Sequence, residues 1–111
     1  LKLNVDPRKA YSVAMEALEK GYLDASCETL FEAAVEAVRE IAESLGEPCR
    51  ECSPEEIFTV LMKLDPKLKA LRLWESAMVI LNCDMPPNVI RKLSEDVLRL
   101  IEIADSMKRK A

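Results

Sequence analysis

The stretch that decides the architecture is LEKGYLDASCETLFEAAVEAVREIAES, residues 18–44. One glycine, Gly21, separates the end of an amphipathic segment from a long alanine-rich one. In the longer segment Cys27, Leu30, Phe31, Ala34, Val38, Ile41 and Leu45 recur at helical spacing, and Ala33, Ala37 and Ala42 widen the stripe. A stripe that wide predicts a helix buried over more than half its circumference. It should run from about Asp24 to Leu45 and stop at Gly46 and Pro48. At 1.5 Å per residue that is roughly 33 Å, the height of a small domain. Alanines let neighbouring helices come close, and the larger residues fill what is left between them.

Working outward, stop and start signals divide the rest into four more helices. Asp6 caps the first, with Pro7 in its first turn, where a missing N–H leaves nothing unpaired. Ala10, Val13, Ala14, Ala17 and Leu18 make its apolar stripe, and Gly21 ends it in a left-handed conformation. Ser53-Pro54-Glu55-Glu56 is a capping box that opens a short third helix carrying Ile57, Phe58, Val60, Leu61 and Leu64. Asp65-Pro66 restarts the chain as a fourth helix, with Leu68, Leu71, Trp74, Met78 and Leu81 along its inner face. The prolines of DMPPN, residues 84–88, break it. The last helix repeats Val89, Ile90, Leu93, Val97, Leu98, Ile101, Ala104 and Met107 at helical spacing. Four long helices and one short one, joined by short loops, predict an all-α antiparallel bundle in a single domain spanning residues 1–111.

Composition agrees and narrows the function. Half of the 111 residues are apolar and about a third charged, as in a well-folded domain, and two glycines are too few for many tight β-turns. A formal charge of −4 offers no basic surface for nucleic acid. The basic end, Lys108-Arg109-Lys110, suits the negative pole of a helix C-terminus. No apolar run approaches the roughly 18 residues of a membrane span. The N-terminus shows no basic-then-apolar leader, and a start at Leu1 rather than Met fits a trimmed beginning. A cytoplasmic location is therefore expected. Histidine and glutamine are absent while Glu and Lys abound, a bias found in proteins of hot environments.

Three features could carry chemistry or contacts. Glu28, Glu32, Glu36 and Glu40 recur every four residues on the long helix, stacking like charges, which opposes an isolated helix. Such a row is expected to be a solvated face neutralised by Lys or Arg from a neighbouring helix. The alternative is an interaction face for basic residues of a second subunit or another protein. Carboxylates spread along three turns do not converge on one ion, so no metal or other cofactor is expected. Cys49-Arg50-Glu51-Cys52 is a CxxC, half of a zinc site or a redox pair. With Cys27 and Cys83 it leaves inert thiols, a structural disulfide among the four, and metal binding all open. Cys52 stands just before the Ser53 cap, where a helix dipole would make a thiol more acidic.

The segment AMEALEKGYLDASCETLFEAAVEAVREIA resembles the first helical pair of the archaeal PaREP proteins, a branch of the HEPN (higher eukaryotes and prokaryotes nucleotide-binding) superfamily. The shared features fall on Glu19-Lys20-Gly21, Ala25-Ser26, Leu30-Phe31, Ala33-Ala34 and Ala37-Val38-Arg39-Glu40-Ile41-Ala42. A weaker echo lies in LWESAMVILNCDM, before the final helix. The resemblance implies a bundle that dimerises and, in many members, metal-independent RNA cleavage by an Arg-x(4–6)-His motif. A nucleotidyltransferase-type protein partner, as in toxin–antitoxin pairs, is also implied. Here the family's histidine position aligns with Leu81-Asn82. Asparagine cannot exchange a proton near neutral pH, so Asn82 would be at most a relic of that site. The expectation is a noncatalytic homodimer or partner-binding module, with a degenerate RNA-binding or nuclease-type protein as the alternative. A tetratricopeptide hairpin fits loosely on Gly21, Leu23, Ser26, Leu30 and Ala33. One period of 34 residues beyond Gly21 stands Glu55, however, with no glycine after it.

Overall fold

The computed structural model describes residues 5–110, so the start at Leu1 lies outside it. Five α-helices account for the described chain, without a strand: α1 (Pro7–Glu19), α2 (Leu23–Ser44), α3 (Pro54–Met62), α4 (Ala70–Asn82) and α5 (Pro87–Lys110). The expected all-α bundle is what forms. The caps are those the sequence signals. Asp6 accepts from the Arg8 N–H, and Pro7 occupies the first turn of α1. Ser53 and Glu56 exchange both bonds of the capping box. Gly21 and Gly46 close α1 and α2 at φ +84° and +78°, where a Cβ would strain the backbone.

Contacts between helices set the directions. Arg8, at the start of α1, holds Glu40 near the end of α2 and Asp105 near the end of α5. Hence α1 runs against both. Cys27, early in α2, is bridged to Cys83, which caps the end of α4, so α2 and α4 are antiparallel. Ser76 in α4 donates to Asp96 in α5, positions nearly equidistant from the turn between them, as in an antiparallel pair. The core lies where α2 and α5 meet the others: Leu30, Val38, Ile41, Ile80, Ile90, Val97, Leu100 and Ile101 are essentially removed from water. Each such side chain contributes about 1.5–3 kcal/mol by leaving water.

Four expectations need correction. Asp65-Pro66 does not start the fourth helix. Asp65 caps a single 3₁₀ turn (Pro66–Leu68), and Lys69 then turns left-handed at φ +53° before α4 begins at Ala70. The inner face of α4 is also rotated. Leu73, Trp74, Ala77 and Ile80 point inward, whereas Met78 and Leu81 stand outside. Nine of its thirteen residues are apolar, so periodicity alone does not select a face. Val13, Phe58, Val89 and Leu98, assigned to apolar stripes, are likewise exposed. Finally, Glu36 is buried rather than solvated, because Arg39 from the next turn lies against it.

All four cysteines are paired, so neither free thiols nor a zinc half-site describes them. Cys27–Cys83 ties α2 to the end of α4 across 56 positions, while Cys49–Cys52 closes a loop of three positions ahead of α3. Loop-closure entropy assigns about 4 kcal/mol to the long bridge and about 2 kcal/mol to the short one.

Candidate functional site

The feature the sequence did not advertise is an apolar groove. Phe31 and Val35 on α2, Ile57 on α3 and Trp74 on α4 line a cleft of about 580 Å³. Phe31 and Trp74 pack with ring centroids 5.5 Å apart and planes tilted by 47°. Met78, Val79, Leu81 and Asn82 form its α4 rim, with Cys52 and Glu51 at the α3 side. Two smaller clefts continue along α4. The first is bounded by Phe58, Leu71 and Glu75, and the second by Met62, Pro66 and Arg72. Five of the large hydrophobic side chains left in solvent, Phe58, Met62, Met78, Val79 and Leu81, border this one surface. Phe58 is 55 % and Met78 53 % exposed. These exposed apolar residues are grouped on one surface rather than scattered singly.

The groove exists because α3 is only nine residues long and α2 is 22. The short helix covers one end of the long one and leaves Phe31 and Val35 half-buried. The outward apolar side of α4 supplies the opposite wall. The signal was present in the sequence as the excess of apolar positions in α4, read there as core.

The glutamate row splits in two. Glu40 accepts from Arg8 of α1 at 3.2 Å and from Lys108 of α5 at 3.1 Å. Burial by itself lowers the Arg8 pKa, but the hydrogen bond and charge of Glu40, with Asp105 and Asp6, outweigh it and hold the guanidinium above its ordinary value. Glu36, 6 % exposed, binds Arg39 Nε at 3.2 Å. Arg39 in turn donates to the carbonyls of Cys49 and Arg50 at 3.0 and 2.7 Å. The lower half of the row is thus internal structure. Glu28 is exposed and Glu32 partly so, and neither forms an ion pair among the described residues. At helical spacing Glu28 shares the flank of Phe31 and Val35, beside the groove.

Asn82 is the last residue of α4, exposed on the groove rim. Among the described residues no three His, Cys, Asp or Glu side chains converge as a metal site would need. No helix among them is long and apolar enough to cross a membrane.

No family model matches the sequence, and no curated protein matches it. Among solved structures, a crystal structure of a protein from the archaeon Sulfolobus solfataricus superposes with a TM-score of 0.79. It is 23% identical in sequence, and the match covers 95% of this chain and 98% of that one. The same helical fold, from end to end, therefore exists in an archaeal protein.

Proposed function

We propose that this chain is a noncatalytic helical module of HEPN-like type that works by adhesion, and that its groove seats a second copy of the chain. The observation that carries the proposal is charge complementarity along α4. At the end where α4 begins, the exposed Lys67, Lys69 and Arg72 outnumber Asp65 and Glu75, and around the end where it stops the exposed Glu28, Glu51 and Asp84 outnumber Arg50. When two α4 helices pack antiparallel about a two-fold axis near Met78, each basic end meets the other's acidic end. The exposed apolar residues Met78, Val79 and Leu81 then bury one another between them. Such an interface is isologous, the commonest kind among homo-oligomers.

The PaREP resemblance supports dimerisation from a separate direction, and the same resemblance weakens any case for catalysis. The five to seven positions before Asn82, where the ribonuclease arginine would stand, hold Ala77, Ser76 and Glu75. Neither the cation nor the proton carrier of that motif is available there.

Light scattering tests the proposal directly. The expected mass is twice 12.5 kDa, falling to the single value in Met78→Glu while thermal stability stays within about 0.5 kcal/mol. A wild-type protein that remains a monomer at high concentration, or a Met78→Glu dimer of unchanged affinity, overturns it.

A further inference from the structure

The two disulfides close loops of very different length, and the difference assigns one of them a chemical role. Cys27, 1 % exposed, is bridged to the partly exposed Cys83 across 56 positions, whereas Cys49 and Cys52, 5 % and 7 % exposed, are bridged across only three. Cys49–Cys52 lies in the connection between α2 and α3, and its two residues border two separate clefts. Cys49 faces a cleft of about 330 Å³ with Glu47 and Thr59, and Cys52 faces the apolar groove. A bridge and a fold stabilise each other equally, by linkage. A loop of three positions gains little from the fold in return for the little it gives, so the fold protects this bridge least.

We propose that Cys49–Cys52 is a reversible redox site, opened by a dithiol reductant, whose state sets the shape of the groove wall. In the opening reaction a thiolate of the reductant attacks one bridge sulfur. The Cys49–Cys52 S–S bond breaks as a mixed disulfide forms. The second thiol of the reductant then displaces the protein sulfur from that mixed disulfide. The reductant leaves as a disulfide, having given two electrons and two protons, and the protein holds two thiols.

The consequence is confined to the groove by what holds each cysteine. Arg39, fixed by the buried Glu36, grips the carbonyls of Cys49 and Arg50, so that half of the loop stays on α2 after the bridge opens. Cys52 has no such anchor. Its backbone sits at φ +49°, a left-handed conformation that a side chain rarely adopts and that Cys83 of the other bridge shares, so opening the short bridge removes one restraint on a strained residue. Released, Cys52 relaxes toward extended backbone and carries Ser53 and Pro54, the entry to α3, with it. Pro54 and Ile57 are groove walls facing Trp74, so the groove changes shape. Any effect on pairing of two copies rests on the dimer proposed above; the redox site itself does not.

Graded dithiothreitol redox buffers, followed by alkylation and peptide mass mapping, test this on the full oxidised chain. Cys49 and Cys52 should alkylate together at a reduced-to-oxidised ratio roughly ten-fold or more below that for Cys27 and Cys83. The emission of Trp74, the one tryptophan, should shift with that first step. The double variant Cys49→Ser/Cys52→Ser should show the shifted emission without reductant. If the dimer forms, its dissociation constant should rise roughly ten-fold at the same step, a change of about 1.4 kcal/mol. Both bridges opening at one ratio overturns the proposal, as does a first step that leaves Trp74 emission unchanged. Because alkylation order and Trp74 emission are read equally well in a monomer, failure of the dimer is distinguishable from failure of the redox site.

Discussion

The side of the molecule built from α1, α2 and α5 is closed, and the side built from α3 and α4 is open. On the closed side Ala10, Ala14, Ala34, Ala37 and Ala104 are almost wholly buried, so the helices meet at close range. One cluster of charges, Arg8 with Asp6, Glu40 and Asp105, and Lys108 with Glu40, clasps the ends of all three helices. On the open side α3 has nine residues, and Phe58, Met62, Met78, Val79 and Leu81 remain in solvent. Both sides are rich in apolar residues. The difference is residue size and partner length: alanines close a surface, and large side chains without a covering helix leave a groove. Stability should therefore reside on the closed side, and the dimer contact proposed above would lie on the open one.

The largest expected effect comes from the bond that joins the two sides. Replacing Cys27 and Cys83 together by alanine should remove about 4 kcal/mol of stability, read as a lower denaturation midpoint with unchanged α-helical circular dichroism. If that double variant unfolds no more easily than the wild type, the bridge is not what holds the open side to α2.

Truncation sharpens the contrast next. Ile41→Ala, in the closed core, should destabilise by about 2–5 kcal/mol, whereas Phe58→Ala on the groove edge should change stability by less than about 1 kcal/mol. Equal losses in urea unfolding would erase the distinction between the sides.

Arg8→Ala tests the ionic clasp. Because Arg8 and its partners are partly exposed, the expected loss is about 1 kcal/mol, shrinking in 1 M salt. The folded-state pKa of Arg8 is raised. Its contribution is therefore fully present below the ordinary arginine value and disappears only as pH rises through the raised one. Melting curves across pH 6–9 should accordingly show a constant difference between Arg8→Ala and the wild type.

The smallest effect has the opposite sign. Ser26 is fully buried in α2, and its hydroxyl has no hydrogen-bond partner among the described residues. Ser26→Ala removes that unpaired group and improves helix propensity, so it should stabilise by up to about 1 kcal/mol, a rise of a few degrees in melting temperature.

Much of the closed side was legible beforehand. Asp6-Pro7, Gly21 and Gly46, like the Ser53 capping box on the open side, are local signals, each acting through the backbone within a few residues, and each does in the structure what its chemistry predicts. The stripe of α2 was equally plain, because polar residues interrupt it and so define its faces. The groove was not legible. Leu71, Trp74, Met78 and Leu81 satisfy helical spacing as well as Leu73, Ala77 and Ile80 do, and only the positions of α2 and α5 select between them. The glutamate row shows the same limit. Four identical spacings end as two exposed or half-exposed carboxylates and two neutralised ones, according to where Arg8, Arg39 and Lys108 arrive.

By itself, then, the order of residues determined the helices, their caps and stops, and the absence of any side chain that exchanges protons near neutral pH in the manner of histidine. Those are consequences of short-range backbone chemistry and of composition. Which cysteines join, which glutamates are paired, and which apolar residues stay in water were decided by tertiary structure. Each depends on groups far apart in the chain being brought together, and the distance between them is not a property of local sequence.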